Sequence, residues 1–241
     1  HSMRFKYFTL ILLFTCSAFV KAQTDTIGYI ESPLQQQNID TDDNIKTKLG
    51  VKFTLGGHTF RGSAFDNAHP LFGFGAGMYN IIDLNKKKSL KLQWELNLTF
   101  KGSKFAKPND TSFSKISLSY FELPVYLSIK LSKNKLPAHL IVGAQLGYLF
   151  KSSITQGFGQ YGEVKLNGLP FKSFDFSPAI GFRKELGSGI SMQFTTKYGM
   201  VNIYTDKFDP TVDERYKGIY PVFKNGTHDV HNLSFELAFL F

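Results

Sequence analysis

The sequence predicts an all-β protein, an eight-stranded antiparallel transmembrane up-and-down β-barrel with long extracellular loops and short periplasmic turns. Apolar residues recur at every second position through eight segments, which is the period of a β-strand. The joins between these segments alternate between long and short, as they do in bacterial outer-membrane barrels. No stretch after Gln23 is long and apolar enough for a transmembrane helix, so a membrane-spanning form requires a closed barrel.

Alternation is clearest in the third of the eight segments, where the two faces differ completely. One face is apolar and consists of Leu90, Leu92, Trp94, Leu96, Leu98 and Phe100. The other face is polar and consists of Lys91, Gln93, Glu95, Asn97, Thr99 and Lys101. The remaining segments alternate at residues 49–56, 72–79, 116–131, 139–148, 174–185, 190–200 and 232–241. Frequent aromatics and glycines (25 Phe, 11 Tyr and 21 Gly) also favour strands joined by tight turns.

The fourth segment changes phase once along its length. Ile116, Leu118 and Tyr120 form a first alternating series, and Phe121 begins a second series that continues to Leu131. We expect both series to face outward and a β-bulge to separate Tyr120 from Phe121, because one extra residue inverts the faces of a strand.

The lengths of the joins separate the two ends of the predicted barrel. After odd-numbered segments the joins are long, at residues 57–70, 102–114, 152–171 and 205–228. After even-numbered segments they are short, at residues 85–88, 132–136 and 187–189. An even number of strands returns the chain to its starting side, which in outer-membrane barrels is the periplasmic side with the short turns. The N- and C-termini are therefore predicted to be periplasmic.

The first residues have the pattern of a secretory signal peptide, predicted at residues 1–22 with a leading remnant at residues 1–2. Arg4 and Lys6 form a basic start, and residues 8–20 are apolar. An apolar run of this length suits a signal peptide and is short for a membrane anchor. We therefore expect the protein to be exported to the cell outer membrane of a Gram-negative bacterium.

Cleavage before Gln23 leaves a mature chain with a simple organisation. It removes Cys16, the only cysteine, so neither disulfides nor thiol chemistry are expected. Residues 23–47 are polar and are predicted to form a flexible periplasmic segment. Residues 48–241 are predicted to form the barrel.

The charged side chains of the polar faces are predicted to lie inside the barrel. The interior of an eight-stranded barrel is just wide enough for side chains to fill, and unpaired buried charges are costly. We therefore expect a paired lumen charge network of Lys52, Lys91, Glu95, Lys101, Glu122, Lys130, Asp175, Arg183, Glu185, Lys197 and Glu236. Its role is structural, and no catalytic, cofactor-binding or metal site is predicted. The net charge of +9 is not concentrated on one helix or loop, so nucleic acid is not an expected partner.

The last segment has an apolar residue at each second position and an aromatic residue at its end. The residues are Leu233, Phe235, Leu237, Phe239 and Phe241. We expect this C-terminal assembly signal to be recognised by the barrel-assembly machinery, with outer-membrane lipid as the other general partner.

Five segments resemble the PorT-like family of outer-membrane β-barrel proteins. They are KLGVK at 48–52, GFGAG at 73–77, YFELPVYL at 120–127, VGAQLGYL at 142–149 and FDF at 174–176. The start of the third is similar to that family's Tyr-aromatic-Glu-aliphatic-Pro pattern. The resemblance covers nearly all of the predicted barrel and implies the same fold. It also implies a link to protein secretion, because one branch of the family serves a type IX secretion system.

Histidines suggest an enzymatic alternative, an outer-membrane lipid hydrolase or deacylase. His228 and His231 lie where the last segment begins, at the predicted outer rim. A hydrolase needs a serine within hydrogen-bond distance of its base. Ser234 has the opposite parity to His231, so the two are predicted to point to opposite sides of the wall. His139 is predicted at the periplasmic interface. A small passive channel is a third alternative.

The predicted outer loops contain many aromatic residues, which either bind partners or form an interfacial girdle. They are Phe105, Phe113, Phe158, Tyr161, Phe208, Tyr216, Tyr220 and Phe223. The function expected first is therefore a non-enzymatic barrel that anchors or interacts through its loops, possible partners being secretion-system or surface proteins.

Overall fold

The structure is a computed structural model that describes residues 47–62, 68–106, 112–131, 137–158, 163–167, 171–204 and 229–241. The predicted signal peptide and residues 23–46 of the predicted flexible periplasmic segment lie outside these ranges, so both stay predictions. Among the described residues, no helix is long and apolar enough to cross a membrane.

The described chain consists of β-strands joined by turns. The strands are β1 (Thr47–Arg61), β2 (Ala68–Asp83), β3 (Leu90–Ala106), β4 (Ser112–Lys130), β5 (Ala138–Phe158), β6 (Glu163–Asn167), β7 (Phe174–Gly187), β8 (Ile190–Tyr198) and β9 (His231–Leu240).

Eight of these strands form a closed barrel. Consecutive strands pair antiparallel from β1 to β5, β5 pairs with β7, and β7 to β9 continue the series. β9 pairs with β1 from Lys52↔Leu240 to Arg61↔His231, which closes the sheet. Within the described ranges, β6 is an additional short strand that pairs with residues 153–157 of β5. The predicted eight-stranded up-and-down barrel is confirmed.

The barrel has two ends that differ in their connections. We call the end where β1 begins and β9 ends the terminal end, and the opposite one the distal end. The connections at the terminal end are residues 84–89, 131–137 and 188–189. In the tightest of them, Gly187, Ser188 and Gly189 all have positive φ angles, of 95°, 51° and 80°. Glycine adopts such angles at little cost, so this sequence favours a sharp turn.

Three of the predicted long loops are wrong in their bounds, because the strands continue well into them. β1 extends to Arg61 and β2 starts at Ala68, while β3 extends to Ala106 and β4 starts at Ser112. The predicted loop 152–171 contains the end of β5 and all of β6. The apolar alternation fades in these extensions, so the sequence pattern ended before the strands did. The fourth predicted loop, residues 205–228, lies outside the described residues.

The barrel is apolar outside and polar inside, the reverse of a soluble β-protein. On β4, Val125 is 43% exposed, whereas neighbouring inward positions such as Glu122 are buried. The outward apolar series on this strand runs from Phe121 to Leu131. Ten residues rise about 33 Å along a strand. At the usual tilt this gives a belt about 25 Å high, which is the height of the lipid-facing band of outer-membrane barrels.

The predicted bulge on β4 is wrong. Ile116, Leu118 and Tyr120 are fully buried and have the same inward parity as Glu122, so β4 does not change phase. The irregularity lies on the partner strand, because Ser119 pairs with Lys151 while Tyr120 pairs with Leu149. Phe150 is thus the extra residue. The sequence pattern suggested a change of phase because the inward residues of β4 become apolar near the distal end and resemble outward ones.

Those inward residues belong to an apolar cluster that fills the distal end of the barrel, which we call the distal plug. Its members are Phe60, Phe105, Ile116, Leu118, Tyr120, Leu149, Ile154, Phe171, Ile203, Tyr204 and Val230. Ile203 and Tyr204 come from the chain that follows β8, so this segment packs against residues of the barrel wall.

Backbone hydrogen bonds hold that segment in place. The Lys172 amide donates to the Ile203 carbonyl at 2.7 Å, and the Ile203 amide donates to the Val230 carbonyl at 3.0 Å. The Asn202 side-chain oxygen accepts from the amides of Tyr204 and Val230, each at 3.0 Å. The plug is therefore a bonded part of the fold.

A charge placed in the middle of the apolar belt tests the assignment of the outer face to lipid. We expect Val125→Arg to lower the free energy of unfolding by about 2–4 kcal/mol, because the guanidinium would be held at the bilayer midplane. Leu131→Arg is the matched control at the edge of the same series, where the cost is about 0–1 kcal/mol. Equilibrium urea unfolding in lipid vesicles measures both. Equal costs at the two positions would contradict a lipid-facing belt.

Candidate functional site

The candidate site is the polar interior below the distal plug, built by the inward rows of the eight barrel strands. All eleven predicted lumen residues occupy inward positions. Eight of them are buried: Lys52, Glu95, Lys101, Glu122, Asp175, Arg183, Lys197 and Glu236. The other three, Lys91, Lys130 and Glu185, are only partly buried and lie near the terminal end.

The first group of interior charges is centred on Glu95. The Lys52 ammonium lies 2.6 Å from Glu95 Oε2. The side-chain amides of Gln93 and Asn97 donate to Glu95 Oε1 at 2.5 Å and Oε2 at 2.8 Å, respectively. A buried carboxylate with one cation and two amide donors is well compensated, so this group stabilises the interior.

The second group is a chain of four paired charges, in the spatial order Lys101, Glu122, Lys197 and Glu236. Glu122 lies between two lysines, with Lys101 Nζ at 2.5 Å and Lys197 Nζ at 3.7 Å. Lys197 is also 2.7 Å from Glu236. The Thr99 hydroxyl donates to Glu122 at 3.0 Å. Two cations and two anions balance within this group, which leaves no net charge to attract an ion.

Arg183 is held mainly by neutral partners. Its guanidinium donates to the side-chain oxygen of Gln93 and, at 3.1 Å, to the hydroxyl of Ser128. The Gln93 amide also donates to Gln193 at 3.0 Å. In the described part of the chain, no carboxylate lies within ion-pair distance of Arg183. Gln93 therefore connects Arg183 to Glu95, and the uncharged inward residues are as much a part of the network as the charged ones.

A third charged group lines the opening at the terminal end. Lys91 lies 3.5 Å from Asp83 and 4.0 Å from Glu185. His139 Nε2 lies 3.4 Å from Glu185 and is buried on the inward side. Except for His139, these groups border a cavity of about 90 Å³, which is lined by Thr47, Lys48, Ile81, Asp83, Lys91, Arg183, Glu185 and Ser191. Asp83 was not predicted as a member of the network.

Besides Arg183, two predicted members, Asp175 and Lys130, have no ion pair within the described ranges. Asp175 accepts from the Asn232 amide at 2.6 Å, and Asn232 also donates to the Tyr120 hydroxyl at 3.4 Å. Asp175 is thereby connected to the base of the distal plug. Lys130 has no acidic group within ion-pair distance among the described residues.

The glycines of β2 provide the space that the network occupies. A Cβ atom on Gly77 would overlap the Asn97 amide, and one on Gly73 would overlap the His58 ring. Both glycines are on the inward face of β2. The polar residues of neighbouring strands therefore fill the interior over a wall that has almost no side chains of its own there.

His58 and Ser234 form a buried pair that the sequence analysis missed. His58 Nδ1 lies 2.8 Å from Ser234 Oγ. His58 fell within the predicted loop 57–70, although continuing the parity of Lys52 along the first segment would have placed it inward. Both residues are less than 3% exposed. The pair is therefore enclosed by the barrel and its plug.

His231 is separated from Ser234 by the wall of the barrel. Its Nδ1 atom is 2.9 Å from the Gly199 carbonyl oxygen, and its ring stacks on Tyr198 with centroids 5.8 Å apart. Ser234 is inward and His231 has the opposite parity. The structure does not bring together the two residues on which the hydrolase alternative depended.

The aromatic residues of the predicted outer loops have different surroundings. Phe105 is in the distal plug. Phe113 lies under Lys104, whose ammonium is 4.9 Å from the ring centroid. Phe158 ends β5, and Tyr161, Phe208, Tyr216, Tyr220 and Phe223 lie outside the described residues. Within the described ranges, no group of three or more His, Cys, Asp or Glu side chains could hold a metal ion.

The predicted C-terminal assembly signal lies in and beyond the strand that closes the barrel. Leu233, Phe235, Leu237 and Phe239 occupy the outward positions of β9. Phe241 follows the strand, exchanges backbone hydrogen bonds with Val51, and packs edge-to-face on Phe53 at 6.2 Å. Recognition of these residues by assembly machinery stays a prediction.

Comparison with known proteins gives one family match. A family model described as "Outer membrane protein beta-barrel domain" matches residues 35–205, which include β1 to β8. No curated protein matches the sequence. 

Several solved structures are similar to the chain at low sequence identity. Neisserial surface protein A is 9% identical with a TM-score of 0.42, covering 81% of this chain and 97% of its own. Ail, the attachment invasion locus protein of Yersinia pestis, is 8% identical with a TM-score of 0.38, covering 80% and 95%. CarO of Acinetobacter baumannii is 11% identical with a TM-score of 0.40, covering 77% and 96%.

Breaking one buried pair tests whether the interior depends on charge compensation. We expect Lys52→Met to lower the free energy of unfolding by about 3–5 kcal/mol, because it leaves Glu95 buried without its cation. The double variant Lys52→Met/Glu95→Leu should recover most of that loss. Urea unfolding in vesicles measures both effects.

A less buried pair serves as the control. We expect Lys91→Met, which removes the longer contact with Asp83, to cost about 1 kcal/mol or less. If the double variant is as unstable as Lys52→Met alone, compensation between the two charges is not what stabilises this part of the interior.

Proposed function

We propose, from the premise that this chain belongs to the outer membrane protein beta-barrel domain family, that it is a non-enzymatic barrel that anchors its distal segments at the cell surface and acts by binding other molecules there. The observation that supports this most is the contrast between its two surfaces. The outer face is an apolar belt suited to lipid, and the interior is filled by compensated charges under an apolar plug. Such a barrel is suited to hold its distal segments in place in the membrane.

The filled interior favours anchoring over conduction. The Glu95 and Glu122 groups each pair their charges internally, and Lys197 reaches Glu122 across the lumen, so opposite charges alternate where an ion would have to pass. The distal plug adds a mainly apolar layer at the far end of the lumen. A passive channel is therefore the weaker alternative.

The lengths of the connections support the orientation that we propose. The terminal end has short turns, which in this class of barrel lie in the periplasm. The distal end has the longer extensions of β3, β4 and β5 and is where residues 205–228 leave and re-enter the described barrel. We place the distal end outside the cell, with both termini in the periplasm.

A role as an accessory of protein secretion, of the type IX kind, is the more specific form of this proposal. It is supported by the resemblance of residues 120–127 to the PorT-like block. In the structure, Tyr120 belongs to the plug, Glu122 to the central ion-pair group, and Tyr126 is buried on the inward side. The block therefore explains the packing of the barrel, and a secretion partner would have to act on the distal segments.

A lipid hydrolase or deacylase is the enzymatic alternative. The geometry gives Ser234 a histidine partner, His58, at hydrogen-bond distance. A hydrolase must also admit an ester to its serine, and Ser234 is buried below the plug. This enclosure favours the non-enzymatic proposal.

The filled interior predicts that the purified barrel does not conduct. In planar bilayers at molar salt, we expect no steady single-channel steps from the wild-type protein, because ion-paired side chains and the plug occupy the lumen. A general porin inserted by the same procedure is the positive control. Reproducible single-channel steps that scale with the amount of inserted protein would contradict the proposal and favour the channel.

The anchoring role predicts that binding and assembly can be separated. We expect replacement of residues 205–228 by a short Gly-Ser linker to abolish co-purification of partners from outer membranes. Barrel assembly, measured by heat-dependent migration in gels, should be unchanged because the strands and the plug residues are retained. Protease accessibility of this connection on intact cells checks the orientation. If the variant retains all partners of the wild-type protein, the distal connection is not the binding element.

A further inference from the structure

A row of basic side chains crosses the outward face of the barrel wall near its distal end. The pairing of β2 to β6 aligns five residues side by side, in the order His69, Lys104, Lys115, Thr155 and Lys165. All five have outward parity, and His69, Lys104 and Lys165 are exposed. We call Lys104, Lys115 and Lys165 the distal lysine row.

The row is electrostatically unbalanced within the fold. Lys104 and Lys115 are directly opposite each other, where like charges destabilise a sheet. Lys104 lies over the ring of Phe113. Among the described residues, no carboxylate lies within ion-pair distance of any of the three lysines. The row therefore offers uncompensated positive charge to a ligand outside the wall.

The distance of the distal lysine row from the apolar belt restricts which ligands it can reach. On β4 the belt ends at Phe121, and Lys115 is six residues further along the strand. That separation is about 20 Å along the strand, or about 15 Å along the barrel axis at the usual tilt. Lys151, which pairs with Ser119, lies between the two levels on the next strand. Basic groups thus extend upward from the edge of the belt.

The row projects from the barrel wall parallel to the plane of the membrane, toward the position of a neighbouring lipid molecule. A receptor for a soluble ligand would more naturally use the rim or the axis of the barrel, whereas these side chains project from the outer wall directly above the lipid-facing surface. In a Gram-negative outer membrane, the molecules at this level are phosphorylated glycolipids. Lysines close to a membrane surface attract such anionic head groups, and ammonium–phosphate hydrogen bonds are among the stronger ones.

We infer that the distal lysine row binds the phosphorylated saccharide head group of lipopolysaccharide in the outer leaflet. This inference rests on the proposed function, because it requires the distal end to lie outside the cell. Lys104, Lys115 and Lys165 engage phosphates of the saccharide core, and Lys151 engages a phosphate nearer the acyl chains. The barrel then associates with particular lipids of its own membrane, in addition to its belt.

Binding of purified lipopolysaccharide to the full-length barrel in a neutral detergent tests the inference. We expect the triple variant Lys104→Gln/Lys115→Gln/Lys165→Gln to lose about 100-fold in affinity, since each lysine near an anionic surface contributes about fivefold. The matched control is Lys86→Gln/Lys87→Gln/Lys88→Gln, which removes the same charge from the turn at the terminal end and should bind like the wild type. Heat-dependent gel migration shows that each variant is folded.

Two further ligands identify the occupant. Lipopolysaccharide treated with phosphatase should bind the wild type at least as weakly as intact lipopolysaccharide binds the triple variant, which keeps Lys151. A soluble sulfated polysaccharide should compete only at much higher concentration. Equal binding by the two triple variants, indifference to phosphatase, or tighter binding of the soluble polysaccharide would each overturn the inference.

Cell fractionation separates this failure from failure of the proposed function. A barrel found in the outer membrane with residues 205–228 accessible to protease, but with no phosphate-dependent binding, overturns only the inference. A barrel found in another membrane, or with the terminal end outside, overturns both.

Discussion

Closure of the sheet between β1 and β9 is the constraint on which the rest of the structure depends. Once Lys52 to Arg61 are paired with β9, none of the eight barrel strands presents a free edge over its belt, and every inward row faces a narrow enclosed space. Charged groups in such a space need partners, because an unpaired charge is costly in a low-dielectric interior. The Glu95 and Glu122 groups are the result.

The interior of the barrel is packed in two layers, one of polar residues and one of apolar residues. Glycines on β2 admit the Asn97 and His58 side chains, and amides such as Gln93 connect charges that are too far apart to pair. Nearer the distal end the inward positions become aromatic and aliphatic. Asp175, Asn232 and Tyr120 join the two layers through hydrogen bonds. The barrel therefore has a core of its own, in addition to its contact with lipid.

The barrel itself could be predicted from the sequence because its belt imposes one rule on every strand. Outward residues meet lipid and inward residues do not, so alternation marks both the strand and its faces. The lengths of the joins then indicated an up-and-down arrangement of the strands and the end of the barrel at which the short turns lie. The assignment of Lys52, Glu95 and Glu122 to inward positions follows from the same parity.

The sequence was least informative where that rule no longer applies. Above the belt, outward positions such as Lys104 and Ser117 are polar and inward ones such as Ile116 are apolar, so β4 seemed to change phase when it did not. Partners across the lumen, such as His58 with Ser234, depend on which strands face each other and how far each side chain reaches. Alternation predicts whether a side chain points inward or outward. It does not predict the distance between side chains on different strands, which the structure supplies.

The composition of the distal plug has a consequence for how the molecule is made. Ile203 and Tyr204 precede the last strand, and Val230 adjoins its start, yet they pack in one cluster with Phe60 of the first strand. These contacts join opposite ends of the barrel sequence, so they become complete only after the first and last strands have met. The plug is therefore completed only when the final seam forms, and until then the lumen of a nascent barrel stays open to solvent.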